Sequence, residues 1–169
     1  MAAQIPKIIR NFNIMVDGVG CAGLCDEVEL PALTIKTDDH RGAGMDIPIE
    51  MDMGMEKLTM KMTFAEHLQS VYRQFGLING NAVGVTFRAA KTDGQTAEGI
   101  EVVARGSYKE IPGAKVKAGD KSLLEATLNL RYYRLTIAGQ VLIEIDAEAG
   151  IRIIDGVDQL QAVRDLISI

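Results

Sequence analysis

The chain has little of what most enzymes and metal proteins depend on. Among its 169 residues are two cysteines and two histidines. A tetrahedral zinc site commonly takes four Cys or His ligands. Here Cys21, Cys25, His40 and His67 would all be needed, and their spacing matches no metal motif. No metal and no cofactor is expected. No segment approaches the roughly 18 consecutive apolar residues of a membrane span. Residues 1–10 lack the apolar core and cleavage site of a secretory signal. Positive charge is also short: the net charge is −5, against a basic surface that would grip nucleic acid. Cys21 and Cys25 stand four apart, about 13 Å in an extended strand and beyond the roughly 7 Å that a disulfide allows. Reduced thiols are the simpler reading. A folded turn through Gly18, Gly20 and Gly23 would instead let the two join.

Catalytic patterns are equally scarce. His40 sits in a polar stretch beside Asp38, Asp39 and Arg41, and His67 lies off the apolar stripe of a predicted helix. Both read as solvated surface histidines. There is no G-x-S-x-G elbow and no Walker loop. The string Gly18-Val19-Gly20-Cys21-Ala22-Gly23 fits G-x-G-x-x-G by letter alone. It leads toward another strand, whereas dinucleotide binding needs a helix N-terminus there. The chain is not expected to be an enzyme.

What the chain has instead is alternation. Ile47, Ile49, Met51, Met53 and Met55 occupy every second position, with Glu50, Asp52 and Glu56 between them or at their end. A period of two predicts a strand with one apolar and one acidic face. The phase then slips, because Leu58, Met60, Met62 and Phe64 carry the apolar face onward on even numbers. A strand cannot change face without a bulge, a bend or a break, so the chain re-aims near Glu56–Lys57. Six of the eight methionines fall between Met45 and Met62. Methionine packs adaptably and suits either a core or a contact with several neighbours.

Elsewhere the pattern predicts strands over residues 12–16, 24–36, 83–90, 99–111, 122–137 and 141–146, and residues 151–154 are short and apolar. Asp17-Gly18 and Ala138-Gly139 are hairpin turn signals, and residues 79–81 read as a turn. Pro31 forces an edge or a bend in the second strand. Residues 38–46 read as a polar loop with Arg41 near its tip, and residues 112–120 as a second loop. In the strand over 122–137, Leu124, Ala126, Leu128, Leu130 and Tyr132 share one face, opposite Glu125 and Tyr133. Helical spacing appears over 65–75, with Gly76 just past its end, and over 157–167. The expected class is mainly β (α+β), in a single domain over residues 1–169.

Several of these pieces, in this order, resemble the major tail tube proteins of contractile-tailed bacteriophages and the related tubes of R-type pyocins. The resemblance rests on Asn11-Phe12-Asn13 with Val16-Asp17-Gly18-Val19, on Leu30-Pro31 through Lys36-Thr37, and on Arg41-Gly42-Ala43-Gly44-Met45-Asp46. It continues through Asp52–Leu58, Phe75-Gly76-Leu77, Gly119-Asp120-Lys121, Arg131-Tyr132-Tyr133, Ile143–Asp146 and Gly156–Leu160. The family loop usually carries Ala-Gly-Gly where this chain has Gly42-Ala43-Gly44.

The resemblance implies two packed antiparallel β-sheets as a sandwich or barrel, with a flanking helix and a C-terminal helix. It implies hexameric rings whose sheets join into a continuous barrel around a lumen, stacked into a tube inside a contractile sheath. A loop or hairpin over 38–55 would reach the adjacent ring. Arg41, Met45, Asp46, Met51, Met53 and Met55 become candidate inter-ring or inter-subunit contacts. Glu50, Asp52, Glu56 and Glu125 become candidate lumen-facing residues. Implied partners are further copies of the chain, the sheath protein, a baseplate hub or tube initiator, a tail terminator and a tape measure protein. Double-stranded DNA would pass without specific binding, and no membrane is involved. The implied location is the tail of the virion, after assembly in the host cytoplasm. Other readings are the tube of an R-type bacteriocin or another contractile injection system, a type VI secretion ring, and a small β-barrel enzyme or ligand-binding protein.

Overall fold

The structure, a computed structural model, describes residues 6–77, 82–114 and 116–168. The turn expected at 79–81 lies outside the described residues. Twelve strands and two short helices are present among the described residues: β1 Ile8–Val16, β2 Val19–Gly20, β3 Cys25–Glu29, β4 Ile35–His40, β5 Ile49–Met55, β6 Thr59–Phe64, α1 Gln69–Arg73, β7 Val83–Thr92, β8 Ala97–Glu110, β9 Leu124–Ile137, β10 Gln140–Asp146, β11 Ile151–Ile154, β12 Val157–Asp158 and α2 Gln161–Ile167.

Ten strands form one antiparallel sheet, in the order β12-β11-β10-β9-β8-β7-β1-β2, with β3 and β6 branching from β9. The branch arises because β9 is long. Its first half pairs with β6, from Leu124 opposite Phe64 to Asn129 opposite Thr59. Its second half pairs with β10, from Tyr132 opposite Asp146 to Ile137 opposite Gln140. β8 runs along its other edge. Buried side chains of β6 and β9 (Met60, Met62, Phe64, Leu124, Leu128) form one core with those of β1, β7 and β8 (Ile14, Val16, Val85, Val102, Ala104). Burying each large apolar side chain contributes about 1.5–3 kcal/mol.

Three tight turns organise the hairpins. Asp17-Gly18, Ala138-Gly139 and Asp155-Gly156 each place both central residues at φ of 48–81°, as a type I′ hairpin turn demands. The last of these corrects the helix expected over 157–167. Asp155-Gly156 closes a hairpin that pairs Val157 with Ile154, so the helix starts only at Gln161.

The helix expected over 65–75 shortens likewise to Gln69–Arg73. The Ala65 N–H donates to the Leu24 carbonyl at 2.7 Å, which keeps the start of that segment tied to the end of the sheet. Gly76 does follow the helix, with φ 74°. The strand expected over 24–36 divides into β3 and β4 around buried Pro31. The loop expected from residue 38 begins after His40, since β4 runs through Asp38 and Asp39.

On β9 the buried face shifts from even to odd numbers, so that Tyr133 rather than Tyr132 enters the core. The cause is a bulge. Arg105 sits opposite Tyr132 while Gly106 sits opposite Leu130, leaving Arg131 as the extra residue. A Cβ on Gly106 would come 2.0 Å from the Asn129 carbonyl oxygen, so only glycine fits this approach.

Candidate assembly surface

The phase slip found in the sequence marks a change of sheet. β5 ends at Met55 and β6 begins at Thr59. β6 lies in the main sheet, whereas among the described residues β5 pairs only with β4, in a separate two-stranded sheet. The strands β4 and β5 with the loop between them, residues 35–55, form an arm. Its base is closed by the Glu56 N–H donating to the Thr34 carbonyl at 2.9 Å. The arm also carries a bulge, because Thr37 pairs with Asp52 and Ile35 with Met55. One residue on β4 faces two on β5, and Gly54 takes φ 96° there. The bulge interrupts the alternation read over 47–55. Met55 is half-buried and packs against the core, unlike Met51 and Met53.

Asp52 is the hinge of this geometry. One of its carboxylate oxygens accepts from the Gly54 N–H at 2.7 Å, and the other accepts from the Arg152 guanidinium of β11 at 2.8 Å. The Gly54 bond first, and Arg152 second, hold the Asp52 carboxyl below its ordinary pKa. The Arg152 side chain is only 15% exposed. Two open cavities flank this ion pair. One of 680 Å³ lies among Met55, Leu58, Leu130, Ile145, Leu160 and Val163. The other, of 390 Å³, lies among Leu33, Ile35, Met55, Ile143 and Ile154.

The other residues singled out by sequence fall in different places. Glu50 is exposed on β5 opposite Asp39, and Glu56 is exposed just past the strand. Glu125 is exposed on β9, in the main sheet, and lines a shallow cavity with Lys121 and Leu123. The four acidic candidates are thus divided between arm and body, and one of them is ion-paired. Arg41 turns back on its own loop, donating from Nε to the Met45 carbonyl at 3.1 Å, while the Gly42 N–H points at the Met45 sulfur. Asp46 is exposed.

His40 is exposed at the end of β4. His67 bridges the Tyr72 hydroxyl at 2.7 Å and the Ser122 hydroxyl at 2.6 Å, tying α1 to the approach to β9. Both cysteines are free thiols. Burial raises Cys21 above its ordinary pKa and pushes Cys25 up to about 11. The glycine string 18–23 runs through β2 and a turn into β3, with no helix following.

The sequence reading did not single out Arg152. The one available signal was a cation inside Ile151-Arg152-Ile153-Ile154, an apolar strand in which an unpaired charge would be costly.

Several exposed apolar side chains are grouped on the same elements. Ile47, Ile49, Met51 and Met53 stand on the arm, Ile8 and Ile9 on β1, and Val163, Leu166 and Ile167 on α2. Such surface marks contact with other protein.

Residues 6–167 match the family described as phage tail tube protein FII. The tail tube protein of Escherichia phage P2 is 32% identical over 165 residues, covering 95% of this chain and 96% of that protein. The major tail tube protein of Serratia phage KSP20 is 30% identical over 144 residues, covering 84% of each. At the level of fold, the chain is similar to the sheath/tube terminator structure of the extracellular contractile injection system PVC in its extended state. That similarity has a TM-score of 0.61 at 13% identity, over 80% of this chain and 99% of that one. With a family match along nearly its whole length, the chain belongs to the phage tail tube protein FII family.

Proposed function

We propose that this structural protein forms hexameric rings that stack into the inner tube of a contractile phage tail. The tube serves as a conduit for double-stranded DNA and is enclosed by the sheath. The observation that carries the reading is the arm of residues 35–55, which among the described residues pairs with no strand of its own subunit's main sheet and keeps Ile47, Ile49, Met51 and Met53 in solvent. Sheet edges and apolar faces left open in one subunit are closed by neighbours in a ring, which removes the liability of free edges.

Glu50, Glu56 and Glu125 are assigned to the lumen wall, where carboxylates repel the phosphate backbone and keep DNA from adhering. Asp52 contributes less free charge there, because Arg152 compensates it. Arg41, Met45, Asp46, Met51 and Met53 are assigned to contacts between subunits. The sheath protein, a tube initiator at the baseplate, a terminator and a tape measure protein are the proposed partners, with assembly in the host cytoplasm.

Negative-stain electron microscopy of the purified protein tests the reading. Hollow tubes or six-fold rings are the expected result. A strict monomer at every salt and protein concentration would count against it. Replacing Glu50, Glu56 and Glu125 together by lysine is expected to slow DNA passage while tubes still form, and normal ejection would remove the lumen assignment.

A further inference from the structure

We infer that β3 masks lysines on the wall past which DNA travels: Glu29 covers Lys61 and Asp26 covers Lys121, so neither ammonium group is offered to the phosphate backbone. The inference rests on the tube reading and on the lumen assignment of Glu125, and it concerns the positive charge of that same wall.

Three observations carry it. First, Glu125 does not stand alone on its face. On β9, Thr127 and Asn129 share its side, opposite buried Leu124, Ala126 and Leu128. On β6, the side opposite buried Met60, Met62 and Phe64 carries Thr59, Lys61 and Thr63. Register joins the two rows: Thr63 lies opposite Glu125, Lys61 opposite Thr127 and Thr59 opposite Asn129. A wall that includes Glu125 therefore includes Lys61.

Second, β3 extends this face with acid. Glu29 lies opposite Lys61 and Glu27 opposite Thr63. The Lys61 Nζ is 3.0 Å from a Glu29 carboxylate oxygen. Asp26 is the extra residue of a bulge between Cys25 and Glu27, a device that re-aims a side chain. Its carboxylate lies 3.7 Å from the Nζ of Lys121, which lines the shallow cavity with Glu125. Third, the two pairs do little to hold the subunit together. Their four side chains are between 41% and 71% exposed, and ion pairs so exposed contribute little stability.

A bare ammonium group on the wall would displace counterions from DNA and hold the duplex. With a carboxylate beside it, a phosphate that approaches the lysine approaches the acid as well, and attraction and repulsion nearly cancel. Removing the acids should uncover the lysines without unfolding the chain. Lys109, the extra residue of the β8 bulge, is present in every sample and drops out of the comparison.

The test mixes purified tubes with either a short linear DNA duplex or a closed circular plasmid, then sediments them. The linear duplex can thread a lumen and the closed circle cannot. D26N/E29Q tubes are expected to retain about tenfold more linear duplex than unmodified tubes at low salt, with the excess lost by about 200 mM salt. D26N and E29Q singly are each expected to give part of that excess. Adding K61M and K121M to the double variant should abolish it. Retention unchanged by the acid replacements overturns the inference, and so does an excess that survives loss of both lysines.

N129K places a lysine on the same face away from β3 and separates this inference from the reading beneath it. Linear duplex held by N129K tubes, with none gained by D26N/E29Q, refutes masking and leaves the tube reading standing. Equal gain of linear and circular DNA puts the face outside the tube, which overturns the lumen assignment and the inference together. Failure of the unmodified protein to form any tube refutes the functional reading itself.

Discussion

β5 and β6 are neighbours in sequence, both rich in methionine and both alternating, yet they meet opposite fates. Met60, Met62 and Phe64 of β6 are 0% exposed, whereas Ile49, Met51 and Met53 of β5 are 50%, 40% and 57% exposed. Composition does not separate them. Their partners do: β6 is flanked by β3 and β9, with the core beneath it, while among the described residues β5 has only β4 beside it. The comparison teaches that an alternating apolar strand in an assembly protein is half of a contact. Whether the other half lies in the same chain depends on which strand comes alongside.

The largest effect is expected from removing the β6 side chains. Phe64→Ala should destabilise the subunit by about 3–5 kcal/mol and Met62→Ala by about 2–5 kcal/mol, through lost burial and the cavity left behind. Met51→Ala and Met53→Ala should leave subunit stability within about 0.5 kcal/mol, while weakening tube formation. Urea denaturation of the subunit alongside tube counting checks both halves of the contrast. A comparable loss of subunit stability in the two strands would break it.

Gly106→Ala tests the bulge that lets β9 serve both halves of the sheet. The added methyl meets backbone rather than a mobile side chain, so a loss of about 1–3 kcal/mol is expected, read as a lower urea midpoint. Gly54→Ala sharpens the contrast from the arm's side. Nothing obstructs a Cβ there, but the positive φ remains, so a cost of about 1 kcal/mol or more is expected. It should fall on arm docking, measured by hydrogen exchange over residues 35–55, more than on the melting of the main sheet.

The smaller effects concern titration. The Asp52 carboxyl is held below the ordinary aspartate value by Gly54 and Arg152. Its contribution to arm docking is fully present above that ordinary value, about 3.9, and is lost as pH falls through the lowered folded value. Hydrogen exchange of the arm should therefore differ little between pH 7 and 5, after correction for intrinsic rates, and show weaker protection below about pH 4. Cys25, pushed up to about 11 by burial, should alkylate slowly at pH 8 and faster toward pH 11. Rapid labelling at pH 8 would show that the β3–β6 edge opens readily.

Much of this was legible before the fold was known. The hairpin signals at Asp17-Gly18 and Ala138-Gly139 hold because positive φ at two successive positions is a local demand. The phase slip near Glu56–Lys57 was legible because side-chain alternation is a property of every strand. Bulges were less so. Arg131 shifts the face of β9, and residues 53–54 shift that of β5, through a mismatch with a partner strand that no local pattern contains. The helices were overextended because Asp155-Gly156 and the tie from Ala65 to Leu24 favoured the sheet over helical periodicity. Of the candidate site, the acidic and methionine residues were visible, but the placement of Asp52 was not. Arg152 lies a hundred positions away, and nothing near either residue points to the other.

The sequence by itself determined the local grammar: strand alternation, the turns, the β6 core face and the place where the chain must re-aim. The tertiary structure alone decided that the re-aiming separates an arm from a body. It also decided that β9 joins two halves of one sheet and that the Asp52–Arg152 ion pair ties the arm to the body. Local choices depend on backbone sterics within a few residues. Sheet membership and charge pairing depend on which distant segments close upon one another, and that is settled only when the whole core is buried.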